Sequence, residues 1–98
     1  MYQVYVVELE KAILDLPKWQ RNVSQTSQRC VYVGSTGQTA QERFLRHKKG
    51  GLGGNNIVKR YGQSVTSKIC CETREEAVKA EIELAQTYRD AGIGVWQR

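Results

Sequence analysis

The sequence has one histidine, one proline, one phenylalanine and three cysteines in 98 residues. No apolar run approaches the roughly 18 residues that a membrane-crossing helix needs. A single histidine and the lack of any Cys-x-x-Cys spacing argue against a zinc site of the usual kind. Cys70 and Cys71 are adjacent, too close for an unstrained bridge to one another, so reduced, structural thiols are expected. The acidic, Tyr-rich start lacks the basic region and long apolar segment of a secretion signal, which makes the cytoplasm the expected location. Internal repeats and low-complexity tracts are absent.

What is present suits one small domain. The chain is 40% hydrophobic and 26% charged, an ordinary globular balance at a length that leaves little room for a second core. The net charge of +5 is unevenly distributed. Arg43, Arg46, Lys48, Lys49, Lys59 and Arg60 fall in one stretch whose single carboxylate is Glu42. Such a stretch suits a polyanion, although charge alone fits an ordinary solvated face equally well.

Strands are expected from Tyr2 to Leu9 and from Arg29 to Gly34, both apolar on two faces and therefore central. Between them lies a long loop with Pro17 and a helical turn around Ala12 to Leu16. Thr39 with Glu42, and Thr73 with Glu76, match capping boxes. They predict helices from Ala40 to about Lys48 and from Arg74 to about Asp90. The glycine-rich tract from Gly50 to Gly54 should end the first of these, and Asn55 or Asn56 should cap a short helix running to Gly62. A third strand is expected from Ser64 to Cys71, followed after the last helix by a short tail whose Val95 and Trp96 pack back on the body.

Several side chains could carry chemistry. At about 100° per residue, Ala77, Ala80, Glu81, Leu84, Ala85 and Tyr88 share an arc of roughly 140°, so Glu81 lies within an apolar stripe. A carboxylate there must be paired, protonated or bound to a cation. Glu76 and Glu83 point away from it. Arg43 and His47, four apart, share one helix face, where a guanidinium and an imidazole can hold a phosphate. Tyr5 and Tyr32 sit within the first two strands, where a core aromatic is the plain alternative.

Taken in order, Gln3-Val4-Tyr5, Tyr32-Val33-Gly34, Arg43 with His47, and Glu81 resemble the motifs of the GIY-YIG nuclease superfamily over nearly the whole chain. The resemblance implies one α+β domain over residues 1–98, with a three-stranded antiparallel sheet flanked by three helices. It implies that Tyr5, Tyr32, Arg43, His47 and Glu81 converge on one face. Glu81 would ligate one divalent cation, Mg²⁺ or Mn²⁺, and Arg43 would neutralise phosphoryl charge. Tyr5 or Tyr32 would help deprotonate or orient the attacking water, and His47 would move a proton or contact phosphate. The implied activity is hydrolysis of DNA phosphodiester bonds, the alternative being a catalytically weak or inactive DNA-binding module. A protein-interaction domain whose basic stretch meets an acidic partner is the third reading.

Arg46, Lys48, Lys49, Asn55, Asn56, Lys59 and Arg60 are the candidate DNA-backbone contacts. No separate DNA-reading segment is visible, so a partner protein could supply targeting. Two departures stand out. Gln3-Val4 replaces the common Gly-Ile, and the tail offers Gln97 where the family often carries an asparagine.

Overall fold

β-Branched and aromatic residues with apolar side chains on both faces produce strand β1 (Tyr2–Leu9), in which Val4 to Val7 are all fully buried. In a computed structural model that describes residues 1–50 and 55–97, β1 pairs antiparallel with β2 (Cys30–Thr36) and with β3 (Gly62–Cys71). The third strand begins two residues earlier than its β-branched stretch suggests. A fourth strand, β4 (Gly94–Gln97), pairs parallel with β2 and gives the order β3-β1-β2-β4. The sheet therefore has four strands and one parallel pair, where three antiparallel strands were expected. The tail does pack back, and it does so as a strand along the open edge of β2.

The connection between β1 and β2 is more helical than its polar composition suggests. A 3-10 turn over Lys11–Asp15 leads into α1 (Pro17–Asn22). Pro17 occupies the first turn of α1, where its missing N–H costs nothing and its fixed φ suits the helix. Trp19 of α1 is buried, donates its indole N–H to Gln25 Oε1 at 2.7 Å, and stacks on Trp96 of β4 at 5.8 Å between ring centroids.

The remaining helices follow their caps. Thr39 Oγ1 accepts the Glu42 N–H and starts α2 (Ala40–Lys49). Asn55 Oδ1 accepts the N–H groups of Ile57 and Val58 and starts α3 (Asn56–Tyr61). Thr73 Oγ1 accepts the Glu76 N–H and starts α4 (Arg74–Asp90). Gly50 closes α2 at φ 76°, a left-handed value that glycine adopts without steric cost. The rest of the expected glycine-rich stop, residues 51–54, lies outside the described residues. Among the described residues four α-helices thus accompany the sheet, one more than expected.

The sheet separates two layers of core. Tyr5, Val7, Leu9, Cys30 and Tyr32 pack with Trp19 of α1, Ala40 and Phe44 of α2, and Ile57 and Val58 of α3. Val4, Val6, Val31 and Val33 pack on the other face with Ala77 and Ala85 of α4 and Val95 of β4. Alternation with period two sends neighbouring residues of one strand into different layers. The three cysteines are free thiols, Cys30 and Cys71 buried and Cys70 exposed. Burial pushes the Cys30 thiol up from its ordinary value, which suits a structural rather than a reactive group. No helix among the described residues is long and apolar enough to cross a membrane.

Candidate active site

On the α2 side of the sheet, Tyr5, Tyr32 and His47 form one buried group. Their ring centroids lie 6.1 Å apart for the two tyrosines, 6.3 Å for Tyr5 and His47, and 5.7 Å for Tyr32 and His47. Tyr5 Oη and His47 Nε2 are 2.9 Å apart, and the backbone N–H of Asn55 donates to His47 Nδ1 at 2.9 Å. The second bond fixes the first. A ring nitrogen that accepts carries no hydrogen, so the neutral imidazole holds its proton on Nε2 and donates it to Tyr5 Oη.

Gly34 completes this group. A β-carbon there would sit 2.9 Å from Tyr32 Cε1, 3.0 Å from Tyr5 Oη and 3.1 Å from Tyr32 Oη. The phenol ends occupy the space that any side chain would take. Gly34→Ala is therefore expected to lower stability by about 1–3 kcal/mol through overpacking. Urea denaturation would measure it, and an unchanged midpoint would show that the two rings can move aside freely.

A cavity of about 360 Å³ opens beyond Gly34, lined by Tyr2, Ser35, Thr36, Gly37, Arg43, Arg74, Ala77, Val78 and Glu81. Pairing explains its position. Gln97, the last residue of β4, sits opposite Val33, so β2 continues through Ser35 and Thr36 with no strand on that side among the described residues. Arg43 arrives from α2 and Glu81 from α4, helices that cover opposite faces of the sheet. Tyr5, Tyr32 and His47 do not line the cavity. Of the five residues expected to converge, Tyr5, Tyr32 and His47 form a buried group beside Gly34, and Arg43 and Glu81 line the cavity next to it.

Glu81 is half-buried within the apolar stripe of α4, as its helical position predicts. Its partner is a neutral amide: Gln97 Nε2 donates to Glu81 Oε2 at 3.2 Å, and Arg89 Nη1 donates to Gln97 Oε1 at 2.9 Å. The charges on either side dictate how the amide is turned. Guanidinium can only donate and carboxylate can only accept, so the Gln97 oxygen must face Arg89 and its nitrogen Glu81. Gln97 therefore reaches the site and holds the carboxylate. Among the described residues no group of three His, Cys, Asp or Glu side chains is placed to form a metal cage.

Gln3 also has a definite task at the position where the family commonly has glycine. Its Oε1 accepts the Ala40 N–H at 2.7 Å, tying the first turn of α2 to β1. Arg43 and His47 ride on that helix. Sequence reasoning missed this contact because nothing in a local pattern links residues 37 positions apart.

The expected DNA-backbone residues lie on α2 and α3 or at their ends. Arg46, Lys48, Lys49, Asn56, Lys59 and Arg60 are exposed. Arg46 and Lys49 share a shallow depression with Gln38, Glu42 and Leu45. Lys48 Nζ donates to the Lys59 carbonyl at 3.0 Å and the Gly62 carbonyl at 2.9 Å, so it stabilises the end of α3. Asn55 caps the start of α3 with its side chain and holds His47 with its backbone. Of the cavity residues, only Arg43 and Glu81 were anticipated as site residues. For Arg74 a signal existed, since it precedes Glu81 by seven residues and so shares its helix face.

A family model described as the GIY-YIG catalytic domain matches residues 2–93. Comparison with curated proteins found no match, and comparison with solved structures found none either. With all but the first residue and the last five inside the matched region, the chain belongs to the GIY-YIG family, whose domains are generally nucleases.

Proposed function

We propose that the chain is a divalent-metal-dependent endonuclease that hydrolyses DNA phosphodiester bonds in the cavity at the end of β2. The observation that carries this reading is the meeting of Arg43 and Glu81, delivered by helices on opposite faces of the sheet, in one cavity. A guanidinium and a carboxylate lining one cavity are the groups that a phosphate and a cation bound side by side require.

The donor set fits a hard divalent ion. Mg²⁺ typically takes one or two carboxylates and fills its remaining positions with water and substrate phosphate. Glu81 would hold Mg²⁺ or Mn²⁺, and the ion would supply Lewis-acid polarisation of the phosphate when bound. The chain's own residues do the rest. Arg43 binds non-bridging oxygens and offsets the charge that grows on them. Gln97 and Arg89 fix the carboxylate. Tyr5 or Tyr32 orients the attacking water, their hydroxyls lying against Gly34, one residue from the cavity wall at Ser35.

Gln97→Ala is expected to weaken Mn²⁺ binding and slow cleavage by about 10- to 100-fold, the usual effect of removing a group that orients a metal ligand. Calorimetric titration with Mn²⁺ and a cleavage assay measure the two effects. An unaltered Mn²⁺ affinity would mean that the amide does not orient the carboxylate.

The complete burial of Tyr5 and Tyr32 favours a second reading, a DNA-binding module of the same fold without turnover. Incubating supercoiled plasmid and labelled oligonucleotides with the protein in Mg²⁺ or Mn²⁺, with and without chelator, discriminates the two. Cleavage that the chelator abolishes supports the enzyme. Salt-dependent binding without cleavage in either metal supports the module, and no salt-dependent binding sinks both in favour of a protein partner.

A further inference from the structure

Arg74, an exposed residue, is the second guanidinium lining the cavity, and no carboxylate among the described residues pairs with it. It opens α4, where the helix dipole disfavours a cation. Among the described residues no ion pair involves it, the Arg29–Glu8 bridge lying elsewhere. Its side chain nevertheless lines the same cavity as Arg43 and Glu81.

Helix geometry sets its distance from the reaction. Seven residues at about 100° each bring Arg74 to within roughly 20° of Glu81 around the axis, and about 10 Å along it. One strand of B-form DNA rises about 3.4 Å per phosphate. A strand whose phosphate sits between Arg43 and Glu81 therefore carries another phosphate past Arg74 roughly one to three nucleotides away. We propose that Arg74 grips this flanking phosphate, so that the cavity recognises a run of polynucleotide backbone rather than an isolated phosphodiester. The proposal rests on the nuclease reading and extends it to a substrate requirement.

The test measures binding of the full chain to oligonucleotides in which single phosphates are replaced, one at a time, by neutral methylphosphonates. Arg74→Ala should weaken binding of the unmodified oligonucleotide roughly tenfold, as expected for loss of one charged hydrogen-bonding contact, and reduce the salt slope by about one. In the wild type, neutralising one flanking phosphate should cost a similar factor. In Arg74→Ala that same replacement should cost nothing further. Arg74→Lys should restore most of the affinity, because a phosphate accepts a point charge as well as a fork.

Three results overturn the proposal. Arg74→Ala can bind as tightly as wild type, or it can show the wild-type penalty at every neutralised position. Either outcome rejects the flanking contact while leaving the nuclease reading untouched. A wild type without salt-dependent DNA binding rejects both together. Circular dichroism confirms that each variant is folded.

Discussion

Replacing Glu81 by alanine is expected to lower Mg²⁺-dependent DNA cleavage by about a thousandfold while the protein stays folded and still binds DNA. The magnitude follows from what the carboxylate is asked to supply. A Lewis-acid contribution of several kcal/mol, at about 1.4 kcal/mol per factor of ten, corresponds to roughly that loss. The fold should survive because Glu81 is only half-buried and stands in the middle of α4, where alanine is the best helix former. The Gln97 amide loses its acceptor but retains Arg89. Binding should persist because Arg43 and the exposed cations of α2 and α3 remain. Initial cleavage rates, thermal melting and oligonucleotide binding measure the three parts separately. Cleavage at the wild-type rate would remove Glu81 from the mechanism, and with it the case for this cavity.

How much of this could be read beforehand depended on whether the signal was local. The long helices announced themselves, since Thr39 and Thr73 each accept the N–H three residues on, as the capping pattern requires. The central strands were equally plain, because β1 and β2 are apolar on both faces. Strand β4 was not, since four residues are too few to display a period, and their pairing depends on α4 returning the chain to the free edge of β2. Helix α1 was hidden in the same way, its six residues lying in a polar tract. The site divides along the same line. The position of Glu81 on the apolar stripe is a property of one helix, and it was legible. Which helix covers which sheet face is a tertiary choice. Tyr5 faces α2 while its neighbours Val4 and Val6 face α4, so the tyrosines pack in one layer and Glu81 rides on the helix of the other, an arrangement that no local pattern displays.

That separation bears most heavily on His47. His47→Ala is expected to destabilise the protein by about 3–5 kcal/mol, lowering the melting temperature by roughly 15 °C or more. The side chain is only 1% exposed, so its removal leaves a hole between α2 and the sheet. It also removes the 2.9 Å contact to Tyr5 Oη and leaves the Asn55 N–H without its acceptor, the latter at a cost of about 1–3 kcal/mol. Asn55 is the cap of α3 as well, so the loss reaches that helix too. His47→Asn should recover part of the deficit, because its Oδ1 stands near the place of Nδ1 and can accept the Asn55 N–H. Thermal and urea denaturation of the two variants measure the difference. A histidine that met phosphate at the surface would behave in the opposite way, its alanine variant melting like wild type and failing only in cleavage. One ring nitrogen accepts from the Asn55 N–H and the other meets Tyr5 Oη, so the imidazole joins the start of α3 to β1. His47 touches Tyr5 Oη at 2.9 Å, and its removal should be felt in the fold before it is felt in the chemistry.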